Sequence, residues 1–220
     1  MSKQVSITTR GLLFDMDGVL VSSLSSVERC WAQWADIYGV DREYALRITH
    51  GRRAIDTVRT LRPDIDPLVG LKVIEDIEVN DVADTKLLPG VLNLLHSLPK
   101  DRWTIVTSAS TRLATCRLGA AGVPVPEKMI TADSVTVGKP DPEPYRKGAE
   151  ILGFDVKDCV VVEDAPSGVG AGVAAKSKVL GVLGFYSAEA LKDATWIVKS
   201  LEAVRATVEG DWLRLEFEAE

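Results

Sequence analysis

The chain has 220 residues, 46% of them hydrophobic and 26% charged, which allows one large domain or a core with a modest insertion and requires neither disulfides nor a structural metal. A formal net charge of −6 argues against nucleic acid or an anionic membrane surface as the main partner, and an anionic substrate would need local positive charge or a metal. No apolar run approaches the ~20 residues of a membrane span.

The opening stretch MSKQVSITTR has no apolar signal region, and Cys30, Cys116 and Cys159 are scattered with no C-x-x-C pair. Both features read as a cytoplasmic protein with free thiols. A cysteine nucleophile would need a matched histidine, and only His50 and His96 are available.

In chain order, GLLFD (11–15) reads as a first buried strand. It ends on Asp15, with Asp17 two positions beyond. Residues 22–88 then read as helix after helix. Val27, Cys30, Trp31, Trp34, Ala35 and Tyr38 share one helical face that stops at Gly39, and the two tryptophans belong to that helix's core. Leu68, Leu71, Ile74 and Ile77 form a second stripe. Helices at 89–98, 110–122 and 141–153 alternate with strands at 102–107, 128–131, 158–164, 177–184 and 195–200. The acidic tail EGDWLRLEFEAE is a last strand or a frayed end. The strands are short, rich in Val, Ile and Leu, and not strictly alternating, as in a parallel sheet buried on both faces. The expected fold is α/β, a doubly wound parallel sheet (1–21 and 89–220) with a helical module inserted at 22–88.

Ligands in such sheets bind beyond the carboxyl ends of the strands. That edge would gather Asp15, Asp17, Thr107-Ser108, Lys139 of GKPDPEPY, and Glu163-Asp164. Several carboxylates together call for a cation, and hard oxygen donors beside a phosphate point to Mg²⁺. Lys139, Ser108 and backbone N–H groups would face phosphate oxygens. One carboxylate as nucleophile and a second as proton donor would suit phosphoryl transfer.

FDMDGVLVSS resembles the first motif of the haloacid dehalogenase superfamily, VTSAS the second, GKPDPEPY the third and VVVEDAPSGVGAG the fourth, in the right order over residues ~11 to ~172. The early helices resemble the cap of its β-phosphoglucomutase-like branch. VERCWAQWADIYG, HGRR and EDAPSGV are most similar to its sugar-phosphate and glycerol-phosphate phosphatases. The resemblance implies Asp15 as nucleophile and Asp17 as general acid/base. Mg²⁺ would be held by Asp15, Asp164 and the Asp17 carbonyl, with Glu163 acting on water at the metal and Ser108 and Lys139 holding the phosphoryl group. In a cap closing over a phosphorylated substrate, His50 and Arg52 become contacts, with Glu28 near the hinge a further one and Arg53 a weaker one. The implied activity is a Mg²⁺-dependent phosphatase for a small phosphorylated sugar or polyol. The small core and cap suggest a monomer.

Two departures stand out. Ser22 occupies a hinge position that is often Asp in this branch, and SSLSSVERCW lacks the histidine of the mutases' first cap helix. The second weakens a sugar-phosphate mutase as the alternative. A phospho-acceptor receiver shares acidic, hydroxyl and lysine residues but is far shorter and has no helical insert. SGVGAGVAA is out of register for a dinucleotide fingerprint and reads as close helix–sheet packing. Ser110 reads as a helix cap, leaving Ser108 for phosphate.

Overall fold

The computed structural model describes residues 3–220, so the first two residues of the expected 1–21 segment lie outside the described residues. The elements are β1 (Lys3–Thr9), β2 (Gly11–Phe14), β3 (Val21–Ser22), α1 (Leu24–Tyr38), α2 (Arg42–Thr49), α3 (Ala54–Leu61), α4 (Pro67–Asn80), β4 (Lys86–Leu87), α5 (Val91–Ser97) and β5 (Trp103–Ile105). They continue with α6 (Thr111–Ala121), α7 (Glu143–Leu152), β6 (Cys159–Glu163), α8 (Pro166–Ala174), β7 (Lys178–Val182), β8 (Trp196–Val198), β9 (Arg205–Glu209) and β10 (Trp212–Ala219).

Five parallel strands in the order β5-β2-β6-β7-β8 form the central sheet. Successive residues of one strand point to opposite faces. Leu12, Phe14, Val160, Val162 and Leu180 pack with Val91, Leu94, Ala114 and Leu118 of α5 and α6. Leu13, Val161 and Val179 pack with Tyr145, Ala149, Val169 and Ala171 of α7 and α8. Burial on both faces explains the continuous apolar runs.

Helices α1–α4 have their own cluster around Trp31, Trp34, Val58 and Ile74. The Trp34 indole N–H donates to the Gly70 carbonyl at 2.9 Å. The chain enters and leaves this module through the two-residue ribbon β3–β4. Gly39 ends α1 with φ +66°, and Ser110 caps α6 by accepting from the Leu113 N–H at 3.4 Å. No helix among the described residues is long and apolar enough to cross a membrane.

Several expectations need correction. The stretch 128–131 makes one bridge, Ile130 to Val106, and no strand. Thr131 immediately caps the 3₁₀ turn Ala132–Ser134, which ends the pairing. Leu68 is 62% exposed, because α4 turns Gly70, Ile74 and Glu78 inward instead. Residues 3–9, read at first only for a missing signal region, form β1. It pairs antiparallel with β10, so the tail is a strand, and β9 completes a three-stranded sheet.

Candidate active site

Asp15 follows the last residue of β2 and donates its backbone N–H to the Val162 carbonyl of β6 at 2.9 Å. That bond sets it beside Glu163 and Asp164 at the end of the neighbouring strand. Gly18 makes the approach possible. Its φ is +84°, and a Cβ there would lie 1.9 Å from an Asp164 carboxylate oxygen. One oxygen each from Asp15, Glu163 and Asp164 falls within 4.8 Å of the other two.

Lys139 closes this cluster. Its ammonium donates to Asp15 Oδ1 at 2.5 Å, Glu163 Oε1 at 2.7 Å and the Val106 carbonyl at 3.0 Å, with the side chain 2% exposed. Glu163 Oε1 also accepts from the Tyr145 hydroxyl at 2.7 Å, and Oε2 accepts from the N–H groups of Asp164 and Ala165. Gly168 makes room for this carboxylate, since a Cβ there would fall 1.6 Å from Glu163 Oε1.

Burial pushes the Asp15 carboxyl up to about 8, with Lys139 opposing. Burial also pushes Asp164 well up, and the charges of Glu163 and Asp15 add to it. Burial works against the Lys139 ammonium, but Asp15 and Glu163 together raise its pKa. Asp164 has no ion-pair partner among the described residues. Three carboxylates around one ammonium leave uncompensated negative charge on hard oxygen donors. That donor set fits Mg²⁺. Glu163, with both oxygens engaged by four protein donors, is less suited to direct ligation than Asp15 and Asp164.

Asp17 is less enclosed, with its side chain 29% exposed. Its Oδ1 accepts from the Ser23 hydroxyl at 2.5 Å and its Oδ2 from Arg117 at 2.9 Å. Arg117, 3% exposed, also reaches Glu78 of α4 at 3.1 Å. Burial pushes the Glu78 carboxyl up to about 7, with Arg117 opposing.

A cavity of about 980 Å³ lies between the helical module and this sheet edge, walled by Asp15, Asp17, Ser108, Asp164, His50 and Arg52 among others. The loop after α2 seals one side. The Gly51 carbonyl accepts from the hydroxyls of Ser108 at 3.3 Å and Ser167 at 3.1 Å. The His50 ring packs on Phe185 at 4.6 Å, and burial lowers its pKa while Glu28 opposes. Neither Glu28 nor Lys139 is on the cavity wall. Arg52 is exposed. Arg53 is buried, paired with Asp56 and donating to the Val135 carbonyl at 3.1 Å, so it ties the module to the core.

Sequence reasoning missed Ser23, Glu78, Arg117 and Tyr145. Tyr145 lies inside the quoted GKPDPEPY. Arg117 shares the buried face of α6 with Leu113, Ala114 and Leu118, and Glu78 follows Ile74 on the buried face of α4. A lone charge on an apolar helical stripe was the available signal.

Known proteins agree with this architecture. The chain is 39% identical over 203 residues to Hexitol phosphatase A of Escherichia coli, covering 90% of this chain and 94% of that protein. It is 32% identical over 218 residues to Glycerol-1-phosphate phosphohydrolase 2 of Saccharomyces cerevisiae, covering 93% and 87%. The crystal structure of a β-phosphoglucomutase from Clostridium difficile superposes with a TM-score of 0.76 at 21% identity over 88% of this chain and 92% of that one, a likeness of fold. Residues 9–176 match a family of hydrolases whose matched span runs from the strand before Asp15 to beyond Asp164, and the chain therefore belongs to the haloacid dehalogenase-like hydrolase family.

Proposed function

We propose that this enzyme is a Mg²⁺-dependent phosphatase acting on a small phosphorylated sugar or polyol through a phosphoryl group carried on Asp15. One observation carries the reading: Asp15 and Asp17, two residues apart, both line the cavity, and each is held by its own buried cation. The relatives named as hexitol and glycerol-1-phosphate phosphatases support the substrate class. The core (1–21 and 89–220) holds the reacting groups, and 22–88 acts as a cap over them.

In this mechanism a carboxylate oxygen of Asp15 attacks phosphorus and the P–O ester bond breaks. Asp17 gives its proton to the departing alkoxide, which leaves as the alcohol. Asp17 then takes a proton from water, the oxygen attacks the acyl phosphate, and inorganic phosphate leaves a free Asp15. Lys139, seated between Asp15 and Glu163 behind the cavity wall, supplies its positive charge to the transferred group from beside Asp15, and Ser108 on the cavity wall offers a hydroxyl. Asp15, Asp164 and the Asp17 carbonyl would hold Mg²⁺, which offsets carboxylate charge and draws electron density from the phosphoryl oxygens when bound. Glu163, also on the cavity wall, fixes Lys139. His50 and Arg52 of the cap face the alcohol portion, with Glu28 acting through His50.

The test is a phosphate-release screen over hexitol, glycerol and sugar phosphates, with Mg²⁺ and after chelation. Phosphate should appear in step with substrate loss, stop on chelation and return with Mg²⁺. Asp15→Asn should abolish turnover. An isomeric sugar phosphate with little free phosphate would replace the phosphatase by a mutase.

A further inference from the structure

Arg117 takes no part in the steps above, yet it holds one of their principal groups. It sits mid-helix on α6, with its side chain 3% exposed, among apolar neighbours. One guanidinium nitrogen donates to Asp17 Oδ2 at 2.9 Å and the other to Glu78 Oε1 at 3.1 Å. Glu78 belongs to α4 of the helical module and is itself 5% exposed. Asp17 Oδ1 is taken by Ser23, the residue that opens α1. The Asp17 carboxylate is therefore fixed from the core by α6 and from the module by α1 directly and α4 indirectly.

Stability alone is a poor account of this arrangement. A buried ion triad is often no more stable than apolar side chains of the same volume. Here Arg117 Nε is also buried without a hydrogen-bond partner, which adds a desolvation cost. What an arginine supplies is a rigid planar fork that can hold two carboxylates at a set separation. One of the two belongs to the core loop and the other to the module.

We propose that Arg117 is a positioning residue that, through Glu78, makes the aim of the Asp17 carboxylate depend on where helix α4 sits. The proposal rests on the acid/base role given to Asp17. It assigns Glu78 as the sensor of module position and Ser23 as the second anchor. Seating the module on the core and aiming the proton donor at the leaving oxygen are then one event.

The experiment separates positioning from general structural damage by leaving-group chemistry. An alkoxide needs a proton to depart, whereas p-nitrophenolate does not. The ratio kcat/KM reports steps up to the first irreversible one, here ester cleavage. Glycerol 1-phosphate and a hexitol 6-phosphate serve as alkyl esters, and p-nitrophenyl phosphate as the aryl ester. The variants are Arg117→Lys, Glu78→Gln and the double Arg117→Met/Glu78→Gln, which removes both buried charges together. Asp17→Asn sets the limit. Folding is checked by circular dichroism and thermal melting, and Arg117→Lys, which keeps a buried positive charge, gives the same comparison should the double variant not fold. Alkyl-ester kcat/KM should fall by about 10–100-fold in the Arg117 variants, with the aryl ester within about 3-fold of wild type. Glu78→Gln should shift the ratio in the same direction by less. Equal losses on both esters, or no loss on either, overturn the proposal and leave the phosphatase reading standing. Full alkyl-ester turnover in Asp17→Asn overturns both.

Discussion

Replacing Lys139 by Met should destabilise the protein in a way that grows with pH. The ammonium is shared by Asp15 and Glu163, whose side chains are 11% and 1% exposed. Methionine preserves most of the volume, so the change is close to a pure loss of charge and donors. Two buried carboxylates lose their cation, and the Val106 carbonyl loses a donor. Breaking a buried pair from one side costs about 3–5 kcal/mol. For a chain of this size that lowers Tm by about 6–20 °C. The pH sign follows from Asp15, whose carboxyl burial already pushes up to about 8 with Lys139 present and opposing. Without the ammonium that opposition is gone. A carboxyl whose folded pKa is raised favours folding fully below its unfolded value near 3.8 and loses that contribution as pH rises through the folded pKa. Below about pH 8 Asp15 is protonated in both folded proteins, so its share of the deficit against wild type should be constant from about pH 5 to 7 and grow as pH rises above about 8, where the wild-type carboxyl ionises and the variant's does not. Urea titrations of both proteins from about pH 6 to about pH 9.5, with chelator present, measure it. A deficit that stays flat above about pH 8, or that shrinks there, would refute the electrostatic account of Lys139.

Gly168→Ala should disturb the same cluster from the other side. Its Cβ would overlap the Glu163 carboxylate, which four donors hold in place, and the displaced hydrogen bonds should cost about 2–4 kcal/mol with a matching loss of phosphate release. Unchanged melting and turnover would mean that Glu163 moves freely. Trp34→Ala removes a fully buried side chain and its bond to Gly70, and denaturation should show a loss of about 3–5 kcal/mol. Hydrogen exchange should place the loosening in α1–α4, and exchange rising equally in α7 and α8 would count against a separate module core. Glu143 is held well down, to about 2, by Lys147 first and by the N–H groups of Thr136 and Val137. Its contribution is present above its unfolded pKa near 4.5 and fades as pH falls toward 2. The difference in Tm between wild type and Glu143→Gln should accordingly shrink between pH 6 and pH 3, and a constant difference would show that the charge plays no part.

What the sequence disclosed depends on whether the signal was local. Short apolar strands ending in Asp15, Thr107 and Glu163 mark the sheet and its functional edge, because each pattern is complete within a few residues. Gly39, Gly122 and Gly153 announce helix ends by the same logic, and all three have positive φ. The stretch 128–131 misled, since Ile130 is apolar enough for a strand but its neighbour Thr131 is committed to a turn cap. Strand β1 was missed because its alternation, with Val5, Ile7 and Thr9 inward, is half-buried and gains meaning only once β10 lies beside it. Arg117 and Glu78 lie far apart in the chain and meet only after α6 and α4 pack. No spacing rule links them.

The two catalytic candidates illustrate how one sheet edge can give neighbouring carboxylates different tasks. Asp15 and Asp17 each contact one buried cation, and each cation is shared with a buried glutamate: Lys139 with Glu163, Arg117 with Glu78. The difference lies in what surrounds each pair. Lys139 is locked within the core by Asp15, the Val106 carbonyl and Glu163, so Asp15 has a fixed seat, as the nucleophile role proposed for it would require. Arg117 spans the core and the helical module, so Asp17 is seated by two parts whose chain connection is a two-residue ribbon and which otherwise meet through side-chain contacts such as Arg53 to Val135. A nucleophile benefits from rigidity, whereas a group that must first give and then take a proton benefits from a seat that responds to the closing of the cavity. Asp164 stands outside both pairs, with no cation of its own among the described residues. Five carboxylates thus face two internal cations, and this shortfall of positive charge, with Asp164 unpaired next to Asp15, is the strongest physical reason to expect a divalent ion there.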